Sequence, residues 1–184
     1  MHYIHLLEKK KTFLKLFLVY VLFVHYIYNI YIVYLILKEL IMTLKVVIAS
    51  DHWGLEFKSE LVKYVNALGF LATDLGPFNS DNVDYPDYAD KLCNVIKEEQ
   101  ASIGILICGS GIGISIAANR HRHIRCALVI NPTEARLSKE HNNANVLALG
   151  SKVIDIERAK ENVKTFLNTE FEGGRHQNRI DKIS

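Results

Sequence analysis

The run Ile103-Gly-Ile-Leu-Ile-Cys-Gly-Ser-Gly-Ile-Gly-Ile114 joins an apolar, β-branched segment to a glycine loop led by a cysteine. The apolar part is short and shows no polar alternation, so it reads as a strand buried on both faces. After it, Gly109, Gly111 and Gly113 alternate with small or apolar residues. This spacing lets several backbone N–H groups turn toward one point before a helix begins near Ile112, which makes an anion cradle with a thiol on its lip. The loop departs from the dinucleotide fingerprint G-x-G-x-x-G, because Ile114 stands where the third glycine belongs. Asn131 and Pro132 also occupy the place of the acidic ribose contact. A smaller anion suits the loop better than a nucleotide.

Working outward, the chain alternates short apolar runs with stretches of helical spacing. Upstream, Lys45 to Ser50 reads as a first strand. Leu55 to Leu68 reads as a helix with Phe57, Leu61, Tyr64 or Val65, and Leu68 inward, ending at Gly69, and Phe70 to Leu75 as a second strand. Residues 76–83 are turn-rich, and Pro86 suits the first turn of a helix to about Gln100 whose inner face carries Ala89, Leu92, Cys93 and Ile96. Downstream, the loop helix runs to about Asn119 and a fourth strand covers Arg125 to Ile130. Asn131-Pro-Thr-Glu134 opens a helix that ends near His141 to Asn143, a fifth strand covers Asn145 to Leu149, and a last helix covers Asp155 to Leu167. Strands alternating with helices, each strand apolar throughout, imply an α/β fold. The expected architecture is a three-layer αβα, Rossmann-like five-stranded parallel sheet with helices on both faces.

The 184 residues carry a net charge of +2, but this average joins two unlike pieces. Residues 1–41 hold Lys9, Lys10, Lys11, Lys15 and Lys38 against Glu8 and Glu39, leaving 17 basic and 18 acidic residues in 42–184. The second piece is therefore no polyanion binder, and nucleic acid is not an expected partner. From Leu16 to Leu37 there is no charged residue, a length that could cross a bilayer as a signal anchor. That would carry the rest out of the cytosol, which fits poorly with three cysteines in no pairing pattern. The expectation is a cytoplasmic domain over residues 42–184 that begins at Met42. Residues 1–41 then read as a hydrophobic N-terminal extension from a mis-assigned start, with a membrane partner only if 16–37 is a real anchor.

In parallel sheets the ligand sits at the carboxyl ends of the strands. Here those positions hold Asp51 and His52, the 76–85 loop, Cys108 to Gly113, and Ser151 with Lys152. Cys108, at a strand end near a helix N-terminus, is placed to favour thiolate, whereas Cys126 in mid-strand reads as a small hydrophobe. His141 stands in the last turn of its helix, where the dipole favours a protonated ring. His121 and His123 flank Arg122 without a third metal ligand and read as solvated. Beyond Gly173-Gly174, Arg175 and Arg179 share a face if the tail is helical, a pairing that suits a phosphate dianion.

Several segments together resemble the ribose-5-phosphate isomerase B family. They are Asp51-His52, Asp84-Tyr85-Pro86, the stretch from Cys108 to Asn119, His141-Asn142 with Asn145-Val-Leu, and Gly173-Gly-Arg-His-Gln-Asn-Arg179. The match runs from about Leu44 to the C-terminus. The resemblance implies interconversion of ribose 5-phosphate and ribulose 5-phosphate through an enediolate, without cofactor or metal. It implies Cys108 as base, the loop from Gly109 through Ser110, Gly111 and Ile112 to Gly113 around the enediolate oxygen, and His141 opening the sugar ring. Asp51, Tyr85 and Asn142 would hold hydroxyls, and His52, Arg175 and Arg179 the phosphate, with Lys152 also at the substrate. It further implies a homodimer or homotetramer with sites between subunits. The sequence departs from the family pattern in three places: Ser110 for a frequent threonine, Trp53 in a place usually given to a small residue or a different side chain, and Lys152 where arginine is common. Six-carbon sugar phosphates such as allose 6-phosphate or galactose 6-phosphate are the alternative substrates, and a non-catalytic sugar-phosphate sensor is the alternative class.

Overall fold

A computed structural model describes residues 17–33, 45–98 and 103–183. The chain falls into two compact units, Met1–Thr43 and Leu44–Ser184. In the first, residues 17–33 are helical (α1), with large apolar side chains such as Phe17, Tyr20, Phe23, Tyr26 and Ile30 exposed around the helix. Among the described residues no helix is long and apolar enough to cross a membrane. The remainder of the apolar stretch, Leu16 and 34–37, lies outside the described residues.

The second unit runs β1 (Lys45–Ser50), a 3-10 turn (His52–Gly54), α2 (Leu55–Ala67), β2 (Leu71–Asp74), α3 (Tyr85–Glu98), β3 (Ile103–Cys108) and α4 (Ile112–Ala118). It continues through β4 (Cys126–Leu128), α5 (Pro132–Asn142), β5 (Val146–Gly150), α6 (Ile156–Asn168), a second 3-10 turn (Gly174–His176) and α7 (Gln177–Ile180). All strands are parallel, in the order β2-β1-β3-β5-β4. The expected five-stranded αβα sandwich is therefore the observed one.

β3 is central and buried along its whole length, flanked by β1 and β5 in register Ala49 to Leu106 and Leu106 to Ala148. Alternate side chains of each strand feed two cores, as the two-residue period requires. Ile48, Ile105 and Leu147 meet α2, α5 and α6 through Leu61, Val65, Ala135, Val163 and Phe166. Val47, Leu106 and Ala148 meet α3 and α4 through Leu92, Ile96, Ile114 and Ala118. Each such aliphatic side chain, fully buried, contributes about 1.5–3 kcal/mol relative to exposure.

The edges differ from the expectation that every strand is apolar throughout. β2 alternates exposed and half-buried residues, and β4 is only three residues, none of them buried. An edge strand has one neighbour and thinner helix cover, so its pattern is that of a partly solvated strand. Helix ends follow their caps closely. Asn131 accepts from the Glu134 N–H, Asp155 accepts from the Arg158 N–H, and the Glu134 carboxylate reaches back to the Ile130 N–H.

Beside β2, Lys58 on α2 is buried and lies 2.5 Å from both carboxylate oxygens of Asp74, which also accepts the Gly76 N–H at 2.8 Å. This pair anchors the start of the 76–84 loop, which leads into the site. His121 and His123 are not free in solvent: His121 Nε2 lies 2.7 Å from Asp90 and His123 Nε2 lies 2.8 Å from the Cys93 carbonyl. Both rings tie the α4–β4 connection to α3.

Candidate active site

From β1 the chain passes outward to β2 on one side and then to β3 on the other, so the switch in strand order falls between β1 and β3. A crevice opens outside their carboxyl ends at such a point. β1 delivers Asp51, His52 and Trp53 to it, and β3 delivers Cys108 and the glycine loop. Asp51 is buried and caps the 3-10 turn, its Oδ1 accepting from the Trp53 and Gly54 N–H groups at 2.9 and 3.2 Å. Burial pushes its carboxyl pKa up, opposed by those two N–H groups and by the positive fields of His52 and Lys152. His52 Nδ1 faces the backbone of Val83, 3.1 Å from its carbonyl and 3.3 Å from its amide, which fastens the 76–84 loop over the crevice. When Nδ1 accepts that amide, the Nε2 proton is left to point elsewhere.

Cys108 ends β3 nearly buried, and its Sγ accepts the Gly111 N–H at 3.1 Å. Gly111 has φ +75°, and a Cβ there would sit 2.5 Å from Leu128 Cδ1 and 2.9 Å from the Leu149 carbonyl carbon. Only glycine fits that conformation and that space, which is how the chain folds back to aim an amide at the sulfur. Ser110 Oγ accepts the Ile112 N–H at 3.2 Å. At the next turn a Cβ on Gly113 would fall 2.7 Å from Tyr85 Cζ and 3.0 Å from its hydroxyl. The Tyr85 ring therefore lies flush against the start of α4, beside the loop. β5 closes the other side: Ser151 N–H donates to the Cys108 carbonyl at 2.9 Å and Lys152 N–H to the Gly109 carbonyl at 2.9 Å.

Asp51, His52, Tyr85, Cys108, Gly109 to Gly113 and Lys152 thus meet at one end of the sheet, as the strand-end reading expects. His141, Asn142, Arg175 and Arg179 do not join them. α5 starts after β4 and returns, so its last turn lies at the amino ends of the strands. There Arg125, the residue before β4, donates through Nε to the Asn142 and Asn143 carbonyls at 3.1 and 2.9 Å. A six-residue strand such as β3 separates the two ends by roughly 17 Å at about 3.3 Å per residue. The tail packs at that far end as well. Its 3-10 turn follows positive φ at Gly173 and begins with positive φ at Gly174, and the His176 ring stacks on His141 with centroids 4.3 Å apart and planes 6° apart. Glu172 lies 3.4 Å from His176 Nε2 and 3.9 Å from His141 Nε2. Burial, followed by the neighbouring His141 and Arg175, pushes the His176 pKa down.

A model of the ribose/galactose isomerase family matches residues 46–183, three quarters of the chain. The chain belongs to the ribose/galactose isomerase family. A Rickettsia conorii protein provisionally named a sugar phosphate isomerase is 50% identical over 141 residues, covering 77% of this chain and 98% of the relative. Ribose-5-phosphate isomerase B of Escherichia coli is 41% identical over 140 residues, covering 76% of this chain and 94% of the relative. Among solved structures, ribose-5-phosphate isomerase B of Mycoplasma genitalium with bound ribulose-5-phosphate is 42% identical with a TM-score of 0.75. That likeness covers 77% of this chain and 95% of the other.

Sequence reasoning gave no role to three participants, although Ser151 stood among its strand-end positions. Glu172 and His176 lie four apart, a spacing that could have marked them as partners of one helical face. Ser151, whose hydroxyl donates to the Trp53 carbonyl at 3.0 Å and lies 3.3 Å from the Cys108 carbonyl, had no local signature beyond its place after β5.

Proposed function

We propose that this member of the ribose/galactose isomerase family interconverts ribose 5-phosphate and ribulose 5-phosphate, with Cys108 as the base. The observation that carries the reading is the Cys108 sulfur at the β1/β3 switch point with the Gly111 N–H aimed at it. In the aldose-to-ketose direction the thiolate takes the proton from C2, and the electron pair moves toward O1 to give a cis-enediolate. The same proton returns to C1 while the O2 proton passes to O1, so the change is redox-neutral and uses acid–base groups alone. The glycine loop borders the place where the enediolate oxygen forms. Cys108 Sγ and Ser110 Oγ already engage the N–H groups of Gly111 and Ile112. The other backbone N–H groups of the loop are the donors for that oxygen, a stabilisation of about 3–4 kcal/mol per donor. Asp51 and Tyr85 hold hydroxyls, and His52 and Lys152 meet the phosphate.

The ring-opening acid then comes from a second copy. His141 is one strand length, roughly 17 Å, from the Cys108 end of its own sheet, while proton transfer needs about 2.6–3.2 Å. A homodimer that sets the His141 end of one copy against the Cys108 end of the other completes both sites. His141 and Asn142 then meet the sugar, and Arg175 and Arg179 meet the phosphate. Exposed apolar side chains beside the glycine loop support such a contact: Ile112 and Ile116 on α4, and Leu128 and Ile130 at the β4 edge. The catalytic unit is residues 42–184, and three cysteines that are all free thiols suit a reducing cytoplasm.

The test is ketose formation by the purified protein from ribose 5-phosphate, with and without a chelator, beside allose 6-phosphate as a competing substrate. Chelator-resistant turnover that Cys108→Ala abolishes while ribose 5-phosphate still binds is the expected result. Turnover retained by Cys108→Ala rules out that base, and a higher kcat/KM for allose 6-phosphate reassigns the substrate to six carbons.

A further inference from the structure

The two larger departures from the family pattern, Trp53 and Lys152, touch each other. The Lys152 ammonium sits 3.0 Å from the centroid of the Trp53 ring. Trp53 is no core residue: it is 57% exposed, at the lip of the crevice. Its backbone is nonetheless held from two sides, the N–H by Asp51 at 2.9 Å and the carbonyl by the Ser151 hydroxyl at 3.0 Å. Lys152 is held at its own backbone by the Gly109 carbonyl at 2.9 Å. A Cβ built on Gly109 would lie 3.6 and 3.8 Å from Lys152 Cδ and Cε and 3.8 Å from Trp53 Cδ1, so both side chains lie across the open face of that glycine. The indole also contacts the His52 ring at 5.4 Å between centroids.

Resting on the isomerase reading above, we propose that Trp53 is a positioning residue, whose indole face holds the Lys152 ammonium over the glycine loop, in place to meet the substrate phosphate. A lysine is a point charge on a flexible stem, and it loses rotamer freedom each time it engages a phosphate. The aromatic face attracts the ammonium before substrate arrives, so part of that ordering is already done in the free protein. The charge stays on the phosphate side of the crevice. The pair therefore acts on substrate binding and leaves the proton transfers at Cys108 alone.

Steady-state kinetics on a double-mutant cycle tests this. Trp53→Ala should raise KM for ribose 5-phosphate about 2- to 5-fold, the size of a partly exposed cation–π contact, with kcat within about 2-fold. Trp53→Phe, which keeps an aromatic face, should recover part of the loss. In the Lys152→Met background, whose KM rises about tenfold or more for loss of a charged phosphate contact, Trp53→Ala should add nothing further. Equal KM penalties in both backgrounds, or a loss in kcat in place of KM, would overturn the proposal. A readout free of turnover keeps it separate from the assignment of the reaction, since Trp53 is the single tryptophan of the chain. Inorganic phosphate should shift its emission in the wild type and not in Lys152→Met. An equal shift in both sinks the pairing, whatever the substrate proves to be.

Discussion

Two variants that are each inactive should restore activity when they assemble together. Cys108→Ala removes the proposed base and His141→Asn the proposed ring-opening acid. General acid–base groups of this kind contribute about 10²–10⁴-fold, so each variant alone should retain no more than about 1% of turnover. Cys108 ends β3 and His141 ends α5, at opposite ends of the sheet. In a symmetric dimer, a site that joins the Cys108 end of one copy to the His141 end of the other behaves distinctively in a mixed pair. One of its two sites carries both substitutions, and the other carries neither. Random assortment of equal amounts makes about half of the dimers mixed, so about a quarter of all sites are intact. Co-expression with two affinity tags, tandem purification and assay of ketose formation should thus give about 25% of wild-type turnover for the unseparated pool and about 50% for the purified mixed dimer. The signal stands at least 25-fold above either parent by these estimates. Recovery near the parental background in mixed dimers verified by mass spectrometry would place His141 and Cys108 in the same copy and refute the reasoning.

Three further outcomes follow from particular contacts. Burial pushes the Cys93 thiol up to about 12 and also raises that of Cys126. Iodoacetamide at pH 8 should therefore modify Cys108 first, with loss of turnover in step, and early labelling of Cys93 in peptide mass spectra would contradict this. Asp74→Asn leaves the buried Lys58 ammonium without its counter-charge and should lower unfolding free energy in urea by about 3 kcal/mol, the low end for a buried pair because Asp74 is itself 26% exposed. A loss below about 1 kcal/mol would show the pair to be dispensable. The folded tail holds His176 below its ordinary value of 6.5, so the folded state favours the neutral ring. Its contribution is present above that value and declines as pH falls through 6.5 toward the folded value. Amide exchange in 172–180, corrected for intrinsic rate, should thus quicken at pH 5.5 relative to 7.5, and the difference should vanish in His176→Asn.

The local elements of this protein were legible in its residues because periodicity and capping are properties of neighbouring positions. Ile103 to Cys108 announces a central strand by being apolar throughout, Asn131-Pro132 and Asp155 announce helix starts, and the alternation of both patterns dictates a parallel sheet. The family's residues could be recognised by spacing for the same reason. Edge strands were less legible, since how much of β2 and β4 is covered depends on what packs beside them. Two matters belonged to the tertiary structure alone. Helices return the chain from one end of a parallel sheet to the other, so residues of one motif set, Cys108 and His141, end roughly a strand length apart. Names carried over by resemblance hold no record of which end each residue occupies. Likewise, Trp53 and Lys152 follow β1 and β5, and only the placement of both strands beside β3 brings the indole under the ammonium. Sequence determined which residues are present for the chemistry; the strand order and the direction of each helix decided which of them one copy can bring together.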